Sequence, residues 1–171
     1  MGLDRGTFLR GVGLTTLGAA SIMPLGAAQQ PAAHPNVELI RRYYAAYASG
    51  DPNALRPFFA PDIRWHIPGH HPLAGVKSGI DEVLAFFGAL ATAGFRAEPV
   101  FLAADGDWVV DLHRGWSTSP EGLDIMWTLA FRISDGRIVE AINFAADQHA
   151  ADAYFWQHFP LAPLPGRLAP R

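Results

Sequence analysis

Four consecutive β-strand patterns fill the second half of the chain and constrain its fold more than any other feature. Each is rich in β-branched and aromatic residues, and together they cover residues 95–103, 108–117, 123–133 and 137–145. The joints between them are short and carry Asp, Ser, Pro and Gly, the residues of tight turns. Consecutive strands joined so closely pair antiparallel, because a parallel crossover needs a much longer connection. The sequence therefore predicts an antiparallel sheet.

Helical patterns precede this sheet. Asn36 is expected to cap a first helix, whose apolar side repeats at helical spacing through Val37, Ile40, Tyr43, Tyr44 and Tyr47. A short second helix over residues 53–59 is expected to stop at Pro61 because proline lacks a backbone donor.

A strand over residues 63–67 and two further helices complete the pattern. Ser78 is expected to cap a third helix that continues to Leu90, and a last helix is expected from Asp147 to His158. The order of elements predicts an α+β fold with helices on one face of a curved sheet.

The chain divides into four parts by composition. We predict an export signal over residues 1–28, a linker over 29–35, a folded domain over 36–159 and a Pro-rich tail over 160–171. One domain of this size can bury a sizeable core, since half of all residues are hydrophobic.

The export signal is predicted from a charged start, an apolar run and small residues suited to cleavage. Arg5 and Arg10 flank the charged start, but Gly6 stands where a twin-arginine signal has its second arginine. The route, Tat-like or Sec, stays open. We expect a periplasmic or secreted protein; the alternative is an irregular extension on a cytoplasmic protein.

Composition excludes several functions. The chain has no cysteine, so it forms no disulfide, zinc–thiolate site or thiol nucleophile. The formal net charge is −3 and no cluster of basic residues is present, so we expect no nucleic acid as partner. We also expect no membrane as partner once the signal is removed. No cofactor motif is present. No metal is expected either, because the spacing of His66, His70 and His71 is not an established ligand pattern.

Several phrases, taken in order, resemble the SnoaL-like, polyketide cyclase-related branch of the NTF2-like superfamily. They are the tyrosines of residues 43–47 with Gly50-Asp51, the Trp-His-Ile-Pro-Gly run of 65–69, the Phe-Phe pair of 86–87, and the strands of 131–140. The resemblance implies a cone in which a curved, mostly antiparallel sheet wraps around N-terminal helices. It also implies an apolar pocket for a small hydrophobic ligand and a homodimer formed through the outer face of the sheet.

The resemblance also implies which catalytic groups are missing. Where ketosteroid isomerases carry an oxyanion tyrosine, this chain has Tyr43, but the base position falls on Ile67 and the second acid on about Leu129. The base position of SnoaL-type cyclases falls on Asn143, which can orient a carbonyl but not remove a proton. The strand that carries the Arg-Asp pair of epoxide hydrolases reads Ile-Met-Trp-Thr-Leu over 125–129.

Two further polar residues, His66 and Arg114, are candidates for contact with a ligand. His66 is suited to proton transfer near neutral pH if it faces the pocket, whereas strict alternation with Trp65 and Ile67 would place it on the outer face. From the resemblance, the strand of 108–117 is expected to turn Arg114 inward, where it could bind a carboxylate or enolate oxygen. The open alternative is an arginine at the pocket mouth, paired with Asp124 across the hairpin.

These expectations give a candidate site. The expected catalytic residues are Tyr43, His66 and Asn143. The expected substrate-binding residues are Trp65, Ile67, Phe86, Leu112, Arg114, Trp116, Trp127 and Leu129. Asp111 and His113 are expected on the other face of their strand, as interface or surface polarity.

Two functions remain open. One is an isomerase, cyclase or lyase that uses acid–base chemistry on a small hydrophobic carbonyl, polyketide or terpenoid compound. The other is a non-catalytic protein that binds a small hydrophobic ligand.

Overall fold

The computed structural model describes residues 34–161. The expected export signal lies outside the described residues, as do most of the linker and most of the Pro-rich tail. Within residues 34–161, no helix has both the length and the apolar character needed to cross a membrane.

The described residues form three α-helices, a 3₁₀ helix and six strands, which confirms the predicted α+β class. In chain order they are α1 Pro35–Tyr47, the 3₁₀ helix Pro52–Phe58, β1 Phe59–Ile67, β2 Gly75–Ser78, α2 Ile80–Thr92, β3 Arg96–Asp105, β4 Trp108–Trp116, β5 Asp124–Ser134, β6 Arg137–Ala145 and α3 Gln148–His158.

All six strands join one curved, open sheet in the order β2-β1-β6-β5-β4-β3. The run from β3 to β6 is antiparallel throughout, as predicted, and β1 joins it by pairing parallel to β6. β2 was not predicted, because its four residues lie between turns and show no usable period.

Element boundaries differ from the predictions where prolines and local caps decide them. His34, not Asn36, caps α1: its Nδ1 accepts the Asn36 N–H at 3.3 Å, and Pro35 begins the helix with its fixed φ. Pro61 lies inside β1 instead of ending a helix, beside a register irregularity between β1 and β6. The cap of α2 is Gly79, whose φ of +83° suits glycine, and not Ser78.

The core lies between the helices and the inner face of the sheet. α1 buries Ile40 and Tyr43 completely or nearly so, α2 buries Val83, and β1 contributes Ile63 and Trp65. The apolar side chains of the helices and strands meet in one core. Their removal from water stabilises the fold.

The row of β4 side chains that faces the core is the one that was expected to face outward. Val109, Asp111 and His113 are buried, whereas Trp108 and Leu112 on the alternate row are each 37% exposed. The expectation came from the family resemblance and was wrong because the alignment was displaced by one residue, which reverses every side chain of a strand.

Candidate functional site

An apolar pocket lies between the inner face of the sheet and the helices, with a volume of about 60 Å³. It is smaller than the ~150 Å³ in which an engineered protein cavity holds benzene, so in this conformation it suits a small compound. Seven of the residues predicted for the site line it: Tyr43, Trp65, Ile67, Phe86, Trp127, Leu129 and Asn143.

The predicted site residue His66 does not line the pocket. It follows Trp65, which faces inward, and its Nε2 lies 3.0 Å from Oε1 of Glu140 on the outer face. Burial raises the pKa of Glu140, but hydrogen bonds from Arg132 and His66 outweigh this and hold it below its ordinary value. His66 therefore belongs to a polar cluster on the side of the sheet away from the pocket.

The other three predicted residues that do not line the pocket are Leu112, Arg114 and Trp116. They share the outward row of β4, which is why the expectation for them was wrong. The Arg114 guanidinium donates to both carboxylate oxygens of Asp124, at 2.8 and 2.5 Å, and lies 4.7 Å from the Trp116 ring centroid. Arg114 is therefore held on the surface by the cross-hairpin pairing that was the open alternative.

The inward row of β4 brings a different set of polar residues into the site. Asp111 is 1% exposed, and its carboxylate accepts a short hydrogen bond from the Tyr44 hydroxyl and a 2.7 Å bond from the Leu129 N–H. Nδ1 of His113 lies 3.1 Å from Oδ1 of Asp111 and 3.2 Å from the Tyr44 hydroxyl. We call Tyr44, Asp111 and His113 the buried triad.

The buried triad fixes the tautomer of its histidine. An ionised carboxylate offers no proton, so Nδ1 of His113 must carry one in order to bond to Asp111. In the neutral imidazole the lone pair then lies on Nε2, and His113, like Tyr44, lines the pocket together with Trp127 and Leu129. An imidazole held in this way by a carboxylate has the arrangement of a general base.

Two elements build the triad. Asp111 and His113 lie two residues apart on β4, so alternation places both on the inner face. Tyr44 reaches them from the buried side of α1, and its ring lies 5.8 Å from that of His113. Burial, together with the negative charge of Asp111, raises the pKa of Tyr44 well above its ordinary value, so Tyr44 remains a hydrogen-bond donor.

Two hydrogen-bond donors share the pocket with His113. Trp65 Nε1 donates to Oδ1 of Asn143 at 3.0 Å, which leaves the Asn143 amide N–H groups for a ligand. Tyr43 is 2% exposed, and burial raises the pKa of its hydroxyl well above the ordinary value, so it stays protonated. Both groups can donate to an oxygen on a bound molecule.

His71 also lines the pocket but is held by its own surroundings. Its Nδ1 accepts the Leu73 N–H at 3.2 Å and its ring lies 4.4 Å from that of Phe155. Burial lowers its pKa to about 4, although the charge of Asp152 acts to raise it. His71 is therefore neutral at physiological pH.

Within residues 34–161, no group of three or more histidine and carboxylate side chains is placed to hold a metal ion. The buried triad supplies one carboxylate and one imidazole, and the hydrogen bonds described above already engage that carboxylate.

Sequence reasoning missed the buried triad because Asp and His are not typical of a buried strand row. One signal could have found it. Trp127 and Leu129 were expected in the pocket, and they pair directly with His113 and Asp111 across the β4–β5 hairpin. Directly opposed residues of an antiparallel pair share a face, so the inward direction of β5 also sets that of β4.

The chain belongs to the SnoaL-like family, because the SnoaL-like domain model matches residues 40–141. Its fold is that of NTF2-like proteins, which occur among the similar solved structures. The family assignment agrees with the resemblance stated from the sequence.

Three similar proteins illustrate the assignment. An uncharacterised protein of Mycobacterium tuberculosis is 34% identical over 126 residues, which cover 71% of this chain and 95% of that protein. Bal32a, from a soil-derived mobile gene cassette, is 31% identical with a TM-score of 0.66, covering 71% of this chain and 96% of Bal32a. A provisionally assigned polyketide cyclase from Sinorhizobium meliloti is 27% identical with a TM-score of 0.55, covering 63% of this chain and 94% of that protein.

Proposed function

We propose that this protein is an acid–base enzyme that moves a proton on a small, largely apolar carbonyl compound. The observation that carries the proposal is the Asp111-oriented His113 in the wall of an apolar pocket. A proton-transfer step of the isomerase, cyclase or lyase kind needs a base of this type beside a group that stabilises the developing oxyanion.

The roles follow from which atoms are free. Nε2 of His113 accepts a proton from carbon, and Asp111 stabilises the imidazolium that forms. The Asn143 amide and the Tyr43 hydroxyl donate to the carbonyl oxygen as it becomes an enolate. Tyr44 acts as a positioning residue because its hydroxyl is engaged in a hydrogen bond to Asp111, the carboxylate that orients His113.

The pocket wall favours apolar substrates. Aromatic and aliphatic side chains supply most of it, among them Trp65, Phe86 and Leu129. An apolar wall also strengthens the electrostatic effect of the few polar groups in it, since little water screens them. A provisionally assigned polyketide cyclase among the similar structures is consistent with carbonyl chemistry.

Deuterium exchange tests the proposal without knowledge of the natural substrate. Small ketones, acetone and butanone, are incubated with the protein in D₂O, and loss of the α-proton signals is followed by NMR. We expect the protein to accelerate exchange, and the His113→Gln variant to lose roughly 100-fold or more of that acceleration, the range typical of a removed general base.

The matched control is His66→Gln, which removes a histidine from the opposite face of the same sheet. It should exchange at the wild-type rate. Equal rates for wild-type protein and His113→Gln, both folded by circular dichroism, would refute the role of His113.

The second candidate is non-catalytic binding of a small hydrophobic ligand, favoured by the predominance of aromatic and aliphatic side chains in the wall. The same experiment separates the two. Saturable binding of the ketones with no acceleration of exchange in the wild-type protein would support the binding function.

A further inference from the structure

Arg96 lies where the apolar pocket meets a second cavity. The second cavity has a volume of about 180 Å³ and is lined in part by Asp51. Both cavities have four lining residues in common: Tyr47, Phe87, Phe95 and Arg96. A molecule bound in the apolar pocket therefore has a cationic side chain at this boundary.

The Arg96 guanidinium has no carboxylate within ion-pair distance among the described residues, unlike Arg41, Arg56, Arg114 and Arg132. Its Nη1 lies 3.9 Å from the position that a Cβ on Gly50 would occupy. Its charge also acts on the neighbouring Tyr47 hydroxyl: burial raises the pKa of Tyr47 to about 12, and Arg96 opposes that rise. The protonated Tyr47 hydroxyl and the Arg96 guanidinium are therefore neighbouring hydrogen-bond donors.

A second unused donor lies in the wall of the apolar pocket. The indole Nε1 of Trp127 is the one buried side-chain nitrogen or oxygen in residues 34–161 without a hydrogen-bond partner. It lies against Gly115, which pairs with Ala97, and these residues line the apolar pocket together with Arg96. Burial of a donor without an acceptor is unfavourable, so an oxygen of a bound molecule would be stabilised beside this indole.

We propose that the substrate of this pocket is a small organic acid, with its apolar part against the pocket wall and its carboxylate at Arg96. A guanidinium binds a carboxylate through paired, charge-assisted hydrogen bonds. The Tyr47 hydroxyl donates a further hydrogen bond to the same group. This inference rests on the proposed function, since it names the substrate class of the same pocket.

The negative charge of Asp51 opposes the effect of Arg96 on the binding of an acid. It lines the second cavity, where its Oδ1 accepts the Asn53 N–H at 2.9 Å and thereby caps the 3₁₀ helix. Its carboxylate lies beyond ion-pair distance from Arg96 and disfavours a second negative group nearby. The two residues therefore have opposite expected effects on the binding of an acid, which a pair of variants can separate.

The test compares carboxylates with their neutral amides of nearly the same shape. Isovalerate with isovaleramide, and propionate with propionamide, are titrated by calorimetry into the wild-type protein and into Arg96→Gln. We expect each acid to bind the wild-type protein about tenfold more tightly than its amide, as for one charge-assisted pair, and the ratio to fall to about one in Arg96→Gln.

Asp51→Asn is the matched variant: it retains a helix-capping side chain, removes one negative charge and should raise the ratio of acid to amide affinity. Higher ionic strength should lower the wild-type ratio, because Arg96 is exposed. A wild-type ratio near one, a ratio unchanged by Arg96→Gln, or no binding of either member of both pairs would overturn the proposal. Failure of the His113 exchange test would leave these ratios intact, so the two proposals fail separately.

Discussion

The carboxylate of Asp111 is buried in the core, where an ionised group without partners would cost several kcal/mol. The Tyr44 hydroxyl, the Leu129 N–H and the His113 imidazole all bond to it. These bonds replace the water that Asp111 loses on folding. The same bonds that permit its burial also orient His113 toward the pocket, so stability and the proposed chemistry depend on the same atoms.

The neutral state of His71 makes folding sensitive to acid. Its pKa is about 4 in the folded protein and 6.5 when exposed. Between these values the unfolded chain binds more protons than the folded one, so stability is full above pH 6.5 and falls as the pH drops towards 4. We expect His71 to account for roughly 2 kcal/mol of this loss, allowing for partial solvent screening.

His71→Asn is the variant that checks this expectation, because the asparagine oxygen can still accept the Leu73 N–H. Urea unfolding is measured at a series of pH values for both proteins. The variant should lose less stability than the wild-type protein as the pH falls from 6.5 to 4. Identical pH dependence of the two proteins would contradict a neutral, buried His71.

β4 carries buried polar residues on one face and exposed hydrophobic residues on the other. Its inner row carries the buried Asp111 and His113, and its outer row carries Val110, Leu112 and Trp108, each more than a third exposed. Hydrophobicity alone assigns the outer row to the core. Hydrogen bonding to α1 and β5 reverses this, because the Asp111 carboxylate and Nδ1 of His113 find partners there.

Gly115 continues the inner row of β4 at the point where Trp127 crosses it. A Cβ at Gly115 would lie 2.6 Å from Cδ1 and Nε1 of Trp127, so the indole would have to move. We expect Gly115→Ala to lower the free energy of unfolding by about 1–3 kcal/mol, the usual cost of overpacking. Urea unfolding monitored by tryptophan fluorescence measures the change.

Gly88→Ala is the control for this effect. Gly88 lies inside α2, where an added Cβ meets no atom within 4 Å. Alanine is the better helix former, so this variant should be more stable by about 0.5–1 kcal/mol. An unchanged stability of Gly115→Ala would show that Trp127 has room to shift.

The outer face of the sheet carries one row of mostly apolar side chains across four strands. The register aligns Phe101, Leu112, Thr128 and Phe144 in one row, and Phe101 and Phe144 are more than half exposed. Arg132 and Glu140, paired at 3.2 Å beside this row, present both signs of charge. Such a face can contact a second copy of itself about a twofold axis, because opposite charges can then meet across it.

We therefore expect a homodimer formed through the sheet, as the family resemblance implies. Leu112→Lys should shift the protein to a monomer, because it places a charge in the centre of the apolar row. Light scattering coupled to size-exclusion chromatography gives the mass. Trp156→Lys is the control, since Trp156 is half exposed on α3 and away from the sheet. A wild-type monomer at micromolar concentration would contradict the dimer.

Much of the fold could be predicted from periodicity and turn residues. β4 and β6 begin as expected, α3 is capped by Asp147, and the tyrosines of α1 face the core, since each signal is local. The order of the motifs sufficed for the family. The family resemblance singled out Tyr43 and Asn143, and both line the pocket together with Trp65 and Trp127.

The polar centre of the pocket could not be read in this way. Tyr44 and Asp111 are 67 residues apart in the chain and meet only because α1 packs on β4. Two alternating rows of a strand are equivalent in sequence until a neighbour fixes which one faces inward. The register with β5 and the contact with α1 determine which row is buried. They supply the hydrogen-bond partners without which Asp111 and His113 could not be buried.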